Sequence, residues 1–316
     1  MLDSMTAVVV NWNLPEMTIR CVEALIADGL PAERLVIVEN GSDASSTDAL
    51  RRRFPSSRLV RLEENIGYAR AANRGASEQL AGSYIFVNND AFVELPGSLE
   101  RLTSALAHSG VGIAVPRLLN PDKTLQRNVV PLPTPLVALC LAIGASRIVP
   151  NRIRPFWSNW WDHATSQVVA ASSGAVIAVR GDVWRQLGGW PEQDWMYGED
   201  LDLSWRAAKV GWNTWFEHDA VFVHLGNASG FVDVERMWLT STATRRLMER
   251  ELQPVQAKIA LAAFSAGYLA RAILFKALRR EREACLAWVA LRAYSPIARP
   301  LEGPPGSTAG RARSTR

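Results

Sequence analysis

Short runs of β-branched and apolar residues alternate with stretches of helical periodicity through the first third of the chain. "TAVVV" (6–10) reads as a buried strand, and "RLVIV" (34–38), "RLVRL" (58–62), "SYIFV" (83–87) and "VGIAV" (111–115) repeat the pattern. Between the first two lies a helical segment with Pro15 suited to a first turn and Gly29 to a stop. Further helices are expected near 46–54, 68–80 and 96–108. Strand and helix at this rhythm predict a mostly parallel central sheet flanked by helices on both faces. Such sheets bind ligands at the carboxyl ends of their strands. Polar residues cluster there: Asn11 and Asn13 after the first strand, Glu39 and Asn40 after the second, Asn88, Asn89 and Asp90 after the fourth.

The second half is less regular. "NVVPLPTPLVALCLAIGAS" (128–146) holds no charge for 19 residues, but its three prolines argue against a membrane span, which needs ~20 helical residues. A mobile apolar loop near an acceptor or a bilayer is expected there, with burial in the core as the alternative. "FWSNWWDH" (156–163) is aromatic enough for an interfacial or sugar-stacking surface, or for a core. "VVAASSGAVIAVR" (168–180) predicts one or two strands, "YGEDLDLSWRAAKVGW" (197–212) an acidic helix start, and "TWFEHDAVFVH" (214–224) a strand. From about Val234 to Ala293 the pattern is mostly helical. In "KIALAAFSAGYLARAILFKALRRERE" (258–283) the longest uncharged run, Ile259 to Ala270, is 12 residues, too short to cross a bilayer. Lys258, Lys276 and Arg280 fall on one side of that helix, which is expected either at a membrane interface or packed on the core. The end, "EGPPGSTAGRARSTR", reads as a disordered basic tail.

Composition sharpens this picture. At 316 residues with 48% hydrophobic and 21% charged positions the chain is a globular protein with room for a full core. Its three cysteines (Cys21, Cys140, Cys285) lie far apart with no CxxC, which points to a reducing compartment and away from a thiol-held metal. "MLDSMTAVVVNW" lacks the basic leader of a signal peptide, so a cytoplasmic protein is expected. Residues 271–316 carry ten Arg or Lys against three Glu, a net of +7 in a chain of net +4. A basic end of this kind suits an anionic membrane. Nothing in the chain resembles a nucleic-acid module.

Three places carry candidate chemistry. Asp90, directly after a buried strand, sits where a diphosphate-bound divalent cation could be held, since magnesium and manganese take few protein oxygens and complete their shells with phosphate and water. His224 ends another strand and could add a nitrogen, although one of four histidines (108, 163, 218, 224) at a strand end is equally a structural residue. Glu199, Asp200 and Asp202 gather at a helix start, where carboxylates suit the positive end of the dipole whether or not they do chemistry. Asp202 has Arg206 four positions on, the spacing of a surface ion pair.

Taken in order, "VVVNWN", "VIVENGSDASS", "ENIGYARAANRG", "FVNNDAFV", "SGAVIAVRGDVWRQLGGWPEQDWMYGEDLDLSWRAAKVGW" and "HLGNAS" resemble the family 2 glycosyltransferases, and within them a rhamnosyltransferase-like branch; the likeness spans about residues 6–230. The resemblance implies an α/β fold of GT-A type over 1–233, with a nucleotide-sugar half (1–115) and an acceptor and catalytic half (116–233), then a helical appendage (234–300) and the tail (301–316). It implies an inverting transfer with Mg2+ or Mn2+ as cofactor. Asn11, Asn13 and Asn40 would lie against the nucleotide, Glu39 would recognise base or ribose in place of the family's usual Asp, and Asn65, Gly67, Arg70 and Asn73 would line the pocket. "NND" falls at the family's DxD position, with Asn88 in place of the first Asp, Asn89 beside it, Asp90 as metal ligand and His224 as a second one. Asp200 would be the general base of the "ED" motif, with Glu199 orienting it or the acceptor. The physics of a direct displacement agrees, because a base must take the acceptor's proton on the face opposite the departing diphosphate.

The implied partners are a nucleotide-sugar donor, dTDP-L-rhamnose ahead of a UDP-hexose, and a polysaccharide or lipid-linked glycan acceptor in cell-envelope synthesis. Peripheral contact of the basic C-terminal helices with the inner face of the plasma membrane is expected, and no nucleic acid. A nucleotidyltransferase on a similar sheet would need a Gly-rich basic loop after the first strand, where "NWNLPEMT" stands. A silent membrane scaffold would have no use for Asp90, Asp200 and His224 in register.

Overall fold

In the computed structural model, which describes residues 2–157, 160–193, 195–226 and 232–295, the first element is β1 (Met5–Asn11), followed by α1 (Pro15–Ala27), β2 (Leu35–Asn40), α2 (Ala44–Arg53), β3 (Arg58–Leu62), α3 (Tyr68–Ser77) and β4 (Ser83–Asn88). The expected strands and helices of this half all form. Next come β5 (Ala91–Val93), α4 (Ser98–Ala105), β6 (Val111–Leu119) and the short β7 (Leu125–Gln126) and β8 (Val129–Val130). The chain continues through α5 (Pro135–Ala142), α6 (Arg154–Trp157), β9 (Gln167–Val169), β10 (Ala171–Ser172), β11 (Val176–Arg180), α7 (Gly181–Leu187), α8 (Glu199–Lys209) and β12 (Asn213–His224). Three helices close the described chain: α9 (Asp233–Glu251), α10 (Pro254–Ala277) and α11 (Glu281–Tyr294).

These elements form two compact units, residues 1–130 with 161–228, and residues 131–160 with 229–316. The sequence grouped residues 1–233 as one domain of two halves (1–115 and 116–233), ahead of a helical region at 234–300; in the structure residues 131–160 cluster with the helical unit, where α5 packs on α10. The tail at 301–316 lies outside the described residues.

The first unit is built on a sheet of order β3-β2-β1-β4-β11-β6-β12-β5. β3, β2, β1 and β4 run parallel, as expected. From β4 onward the sheet is mixed: β11 is antiparallel to both β4 and β6, β12 is parallel to β6, and β5 is antiparallel to β12. Successive residues of β1 feed opposite faces, Met5, Ala7 and Val9 into one apolar layer and Val8 into the other. That is the two-residue period of a strand covered on both sides. The antiparallel insertion of β11 matters most for function. Val176 pairs with Val87, so the residues leading into β11 lie at the carboxyl end of β4.

Several second-half expectations change. Residues 128–146 are not a loop: Val129 and Val130 pair with β10, and the Thr134 hydroxyl caps α5, which has Pro135 in its first turn. A side-chain cap and an N-terminal proline suit a helix start, so the prolines that argued against one long helix begin a short one. In the aromatic stretch, Trp161 is core, edge-on to Phe216 at 4.9 Å, while Phe156 and Trp160 are exposed. Asp202 and Arg206 do pair, but inside the protein. Asp202 is buried, and Arg206 also donates to the carbonyls of Leu187 and Gly189, tying α8 to the turn after α7. Breaking such a buried pair by truncating one partner costs ~3–5 kcal/mol.

In the helical unit α10 packs against α5, α9 and α11. Gly267 marks the closest approach, since a Cβ there would lie 2.7 Å from Ala142 Cα. The sequence held this segment too short to cross a bilayer, counting only its uncharged run. As one helix of 24 residues it is long and apolar enough to do so, with a mean hydropathy of 1.4 over its most apolar window.

His163 gives the first unit a pH dependence. Its Nε2 accepts from the Val129 N–H at 3.2 Å, and burial pushes its pKa down from 6.5 to about 4. The ring is neutral when folded and free to protonate when unfolded, so between those values the unfolded chain binds the extra proton. This contribution is whole above about pH 6.5 and is lost as pH falls toward 4, at most ~3 kcal/mol. Urea denaturation at pH 7.5 and 4.5 is expected to show wild type losing ~2–3 kcal/mol more on acidification than His163→Gln; equal losses would remove His163 as the cause.

Candidate active site

Asp200 reaches its position by a tight turn. Tyr197 (φ 71°) and Gly198 (φ 86°) both lie in the left-handed region, and α8 begins at once with Glu199. A non-glycine residue in that region is strained, and such strain gathers at functional sites. The Asp200 Oδ2 accepts from the Gly174 N–H at 2.7 Å and its Oδ1 from the Leu201 N–H at 2.8 Å. The next residue, Ala175, accepts at its carbonyl from the Asn88 N–H at 2.8 Å. The "GED" turn and the "NND" turn are thus joined through two consecutive residues at the head of β11. They share one place at the carboxyl ends of the parallel strands.

Burial raises the Asp200 carboxyl above the 3.8 of an ordinary aspartate, and its backbone N–H donors pull it back only in part. Desolvation outweighs those hydrogen bonds.

Asp90 and His224 meet through the pairing of β5 with β12, where Ala91 stands opposite His224. Asp90 is buried, and its Oδ1 lies 3.3 Å from His224 Nε2. Gln126 fixes which ring nitrogen is which. Its Nε2 donates to Asn120 Oδ1 at 3.0 Å and to the His224 carbonyl at 3.1 Å, so its Oε1 is the acceptor facing His224 Nδ1 at 2.7 Å. Nδ1 therefore carries the proton, and in the neutral ring Nε2 is a bare acceptor turned toward a carboxylate. Two facing acceptors need a proton or a cation between them. One hard oxygen and one imidazole nitrogen, oriented by a second hydrogen bond, fit a divalent ion that draws its remaining ligands from diphosphate and water. Among the described residues no group of three or more His, Cys, Asp or Glu could hold a metal alone.

The remaining residues expected at the nucleotide divide into two sets. Asn11 and Glu39 are fully buried and consume one another: Asn11 Nδ2 donates to Glu39 Oε1 at 2.6 Å and to Ser46 Oγ at 2.9 Å, while Asn11 Oδ1 accepts from Thr18 Oγ1 at 2.8 Å. Neither offers surface to a ligand in this structure. Around them Asn89 Nδ2 donates to Thr18 Oγ1 at 3.2 Å, and Asn13 Oδ1 accepts from the Asp43 N–H at 3.0 Å, holding the loops after β1, β2 and β4 together. Asn40 donates to Asn65 Oδ1 at 3.0 Å and accepts from the Ile66 N–H at 3.0 Å, shaping the turn into α3. Gly67 (φ 89°) is required there, because a Cβ would lie 2.4 Å from the Trp195 carbonyl. Arg70 and Asn73 face residues 190–192: Arg70 donates to the Glu192 carbonyl at 3.1 Å, and Asn73 to the Trp190 carbonyl at 2.9 Å and Glu192 Oε1 at 2.7 Å. They clamp the segment that leads to "YGED" onto α3.

Tyr68, absent from the residues singled out in the sequence, is central. Its Oη is buried with no hydrogen-bond partner among the described residues. Burial raises the phenol's pKa, and the charges of Glu199, Asp200 and Asp90 raise it further, so the hydroxyl stays a neutral donor among three acids. An orphaned donor in such a place points to a ligand that completes it. Only its place inside "NIGYARAAN" could have drawn attention to it. Gly174 likewise stood only as part of "SGAVIAVR", and Gln126 carried no signal at all.

The family model for glycosyltransferase-like family 2 matches residues 3–253. Among curated proteins, the N-acetylglucosaminyl-diphospho-decaprenol L-rhamnosyltransferase of Mycobacterium tuberculosis is 28% identical over 210 residues; the match covers 60% of this chain and 66% of that protein, just under two thirds. The O-antigen biosynthesis protein RfbC of Myxococcus xanthus is 27% identical over 247 residues, 73% of this chain and 18% of its own length. Among solved structures, the mannosyltransferase PcManGT from Pyrobaculum calidifontis, in complex with GDP-Man and Mn2+, aligns with a TM-score of 0.58 at 16% identity, over 92% of this chain and 84% of its own. S. aureus TarS 1–349 with UDP-GlcNAc aligns at 0.56 and 13%, over 93% and 82%. These likenesses show the GT-A fold, with the mixed second half of the sheet as part of it. With a family model matched along 3–253, the chain belongs to the family 2 glycosyltransferases.

Proposed function

We propose that the protein is an inverting glycosyltransferase that moves L-rhamnose from dTDP-L-rhamnose to a lipid-linked glycan in cell-envelope synthesis, working at the cytoplasmic face of a membrane. One observation carries the reading of the chemistry: the head of β11 bonds Asn88 on one side and Asp200 on the other, so an acid that can act as a base and a candidate cation site share one place. The sugar and the lipid-linked acceptor rest on the M. tuberculosis relative, whose name states both, and three free cysteines fit a reducing compartment.

In this reading the acceptor hydroxyl gives its proton to Asp200 as its oxygen bonds the anomeric carbon. The bond from that carbon to the diphosphate breaks, and the electron pair leaves on the nucleoside diphosphate. A raised pKa makes Asp200 a stronger base than an ordinary aspartate. The Gly174 and Leu201 N–H groups hold its carboxylate in one orientation and leave lone pairs on both oxygens for the incoming proton. Glu199, beside it on the first turn of α8, orients the acceptor. Asp90 and His224 would hold Mg2+ or Mn2+, with Gln126 keeping His224 in the ligating tautomer. A divalent ion bound there neutralises charge gathering on the departing diphosphate. Tyr68 donates from its buried Oη to the donor substrate. The sealed Asn11–Glu39 network supports the loops on which the nucleotide rests, and Asn65 and Gly67 shape its other wall.

Six measurements bear on this. Asp200→Asn is expected to lower kcat by 10³-fold or more, on the order of losing a general base, while nucleotide affinity stays within about twofold. Turnover retained by the variant would remove Asp200 from the mechanism. Because burial lifts its pKa, the acid limb of the wild-type kcat profile should lie above pH 3.8. Asp90→Ala should abolish Mn2+-dependent binding of dTDP. Gln126→Leu should weaken Mn2+ binding about tenfold, the scale of a lost orienting partner, and let the nitrogen-15 spectrum of His224 show both tautomers; an unchanged spectrum would dismiss Gln126. Tyr68→Phe should raise the donor KM roughly tenfold, the loss of one buried hydrogen bond, without altering thermal unfolding. A panel of dTDP-, UDP- and GDP-sugars assayed for nucleotide release decides the donor, and preference for a UDP-hexose would overturn the rhamnose assignment.

A further inference from the structure

Within the helical unit, α10 buries one face and leaves the opposite face bare. Ala257, Ala260, Leu261, Phe264, Gly267 and Ala272 are buried, whereas only 28% of the helix's most apolar window is covered overall. At ~100° per residue, Val255, Ile259, Ala262, Ala266, Leu269, Ile273 and Ala277 fall in one stripe, and all are exposed. No charged residue stands in that stripe from 255 to 277. Val255 is 68% exposed, Ile259 53% and Ile273 59%, so this is a continuous apolar surface and not a scatter of single residues. Lys258 and Lys276 border it on one side. α5, packed on α10, adds Leu136 and Leu139, both about half exposed, with Ile143 just beyond its end. Beside the C-terminal end of the stripe, Lys276, Glu281, Trp288 and Arg292 line a cleft of about 460 Å³, where Lys276 Nζ donates to both Glu281 carboxylate oxygens at 2.9 Å.

Charge says what covers this face. Residues 131–160 and 229–316 carry eighteen Lys or Arg against seven Asp or Glu, a net of +11, while the rest of the chain carries −7. A second copy would bring the same cations against their own kind. An anionic lipid surface meets both the apolar stripe and its basic border. Length and composition alone would let α10 cross a bilayer, but its packed neighbours forbid it. α9 and α11 carry Arg245, Glu249, Glu281, Arg282 and Arg292, groups that hydrocarbon does not admit.

We propose that α10 lies in the plane of an anionic phospholipid bilayer, with the stripe from Val255 to Ile273 sunk into the acyl boundary and Lys258 and Lys276 at the headgroups. This deepens the membrane-face placement above by naming the contact surface. Vesicle binding reads it without any transfer reaction, so the two fail separately.

The test is co-sedimentation of the full chain with vesicles of phosphatidylcholine, alone and with roughly a third phosphatidylglycerol, whose negative surface potential attracts basic segments. Wild type is expected to bind the anionic vesicles at least tenfold more tightly than the neutral ones. Ile259→Glu with Ile273→Glu should weaken that binding tenfold or more. Lys258→Gln with Lys276→Gln should weaken it roughly fivefold per charge removed. Leu80→Glu, the same change at an 80% exposed residue of the other unit, should leave it unchanged. Circular dichroism melts that match wild type exclude misfolding. Anionic binding untouched by the Ile259/Ile273 pair would overturn the proposal. So would a dimer in sedimentation velocity that the pair abolishes while no vesicle binds, which would assign the face to a second copy.

Discussion

Two adjacent backbone groups hold the site together. The Ala175 carbonyl accepts from Asn88 and the Gly174 N–H donates to Asp200, so the end of β4 and the start of α8 are fixed to the same dipeptide. This works because β11 runs antiparallel to β4. Were it parallel, its first residues would lie at the far edge of the sheet, and the acid of α8 would lose its contact with the turn after β4. Gly174 is also sterically committed, since a Cβ there would stand 3.1 Å from the Asp200 Cβ.

Burial is the largest influence on the titrating groups at this place. Backbone N–H groups at Gly174 and Leu201 favour the Asp200 anion, yet desolvation wins and the carboxyl is harder to ionise than in water. The same desolvation, with nearby acids, keeps the Tyr68 phenol protonated. A carboxyl of raised pKa and a neutral phenol follow from one cause. At the other end of the site, Gln126 removes the tautomer freedom of His224, so that two lone pairs face each other across 3.3 Å.

Several residues expected near the nucleotide hold the frame of the site. Asn11 and Glu39 satisfy one another within a sealed cluster completed by Thr18 and Ser46. Asn73 and Arg70 grip residues 190–192, and Asp202 with Arg206 grips the turn at 187–189. A buried polar group must find partners, and each of these finds them on a neighbouring loop, which holds the turn before α8 in place.

The strands β1 to β4 and their helices were legible because the two-residue and 3.6-residue periods are local properties of the chain, and polar residues following strand ends marked where a ligand would sit. Motif order was enough to indicate the family. What the sequence could not contain was the direction of β11, the pairing of β5 with β12 that sets Asp90 beside His224, or the return of α5 to α10 at Gly267. Those are contacts between residues distant along the chain, and no local pattern records them. For the same reason Gln126, Gly174 and Tyr68 were invisible as site residues, and Asp202 passed for a surface charge. Burial is decided by what packs above a residue, and only the folded chain supplies that.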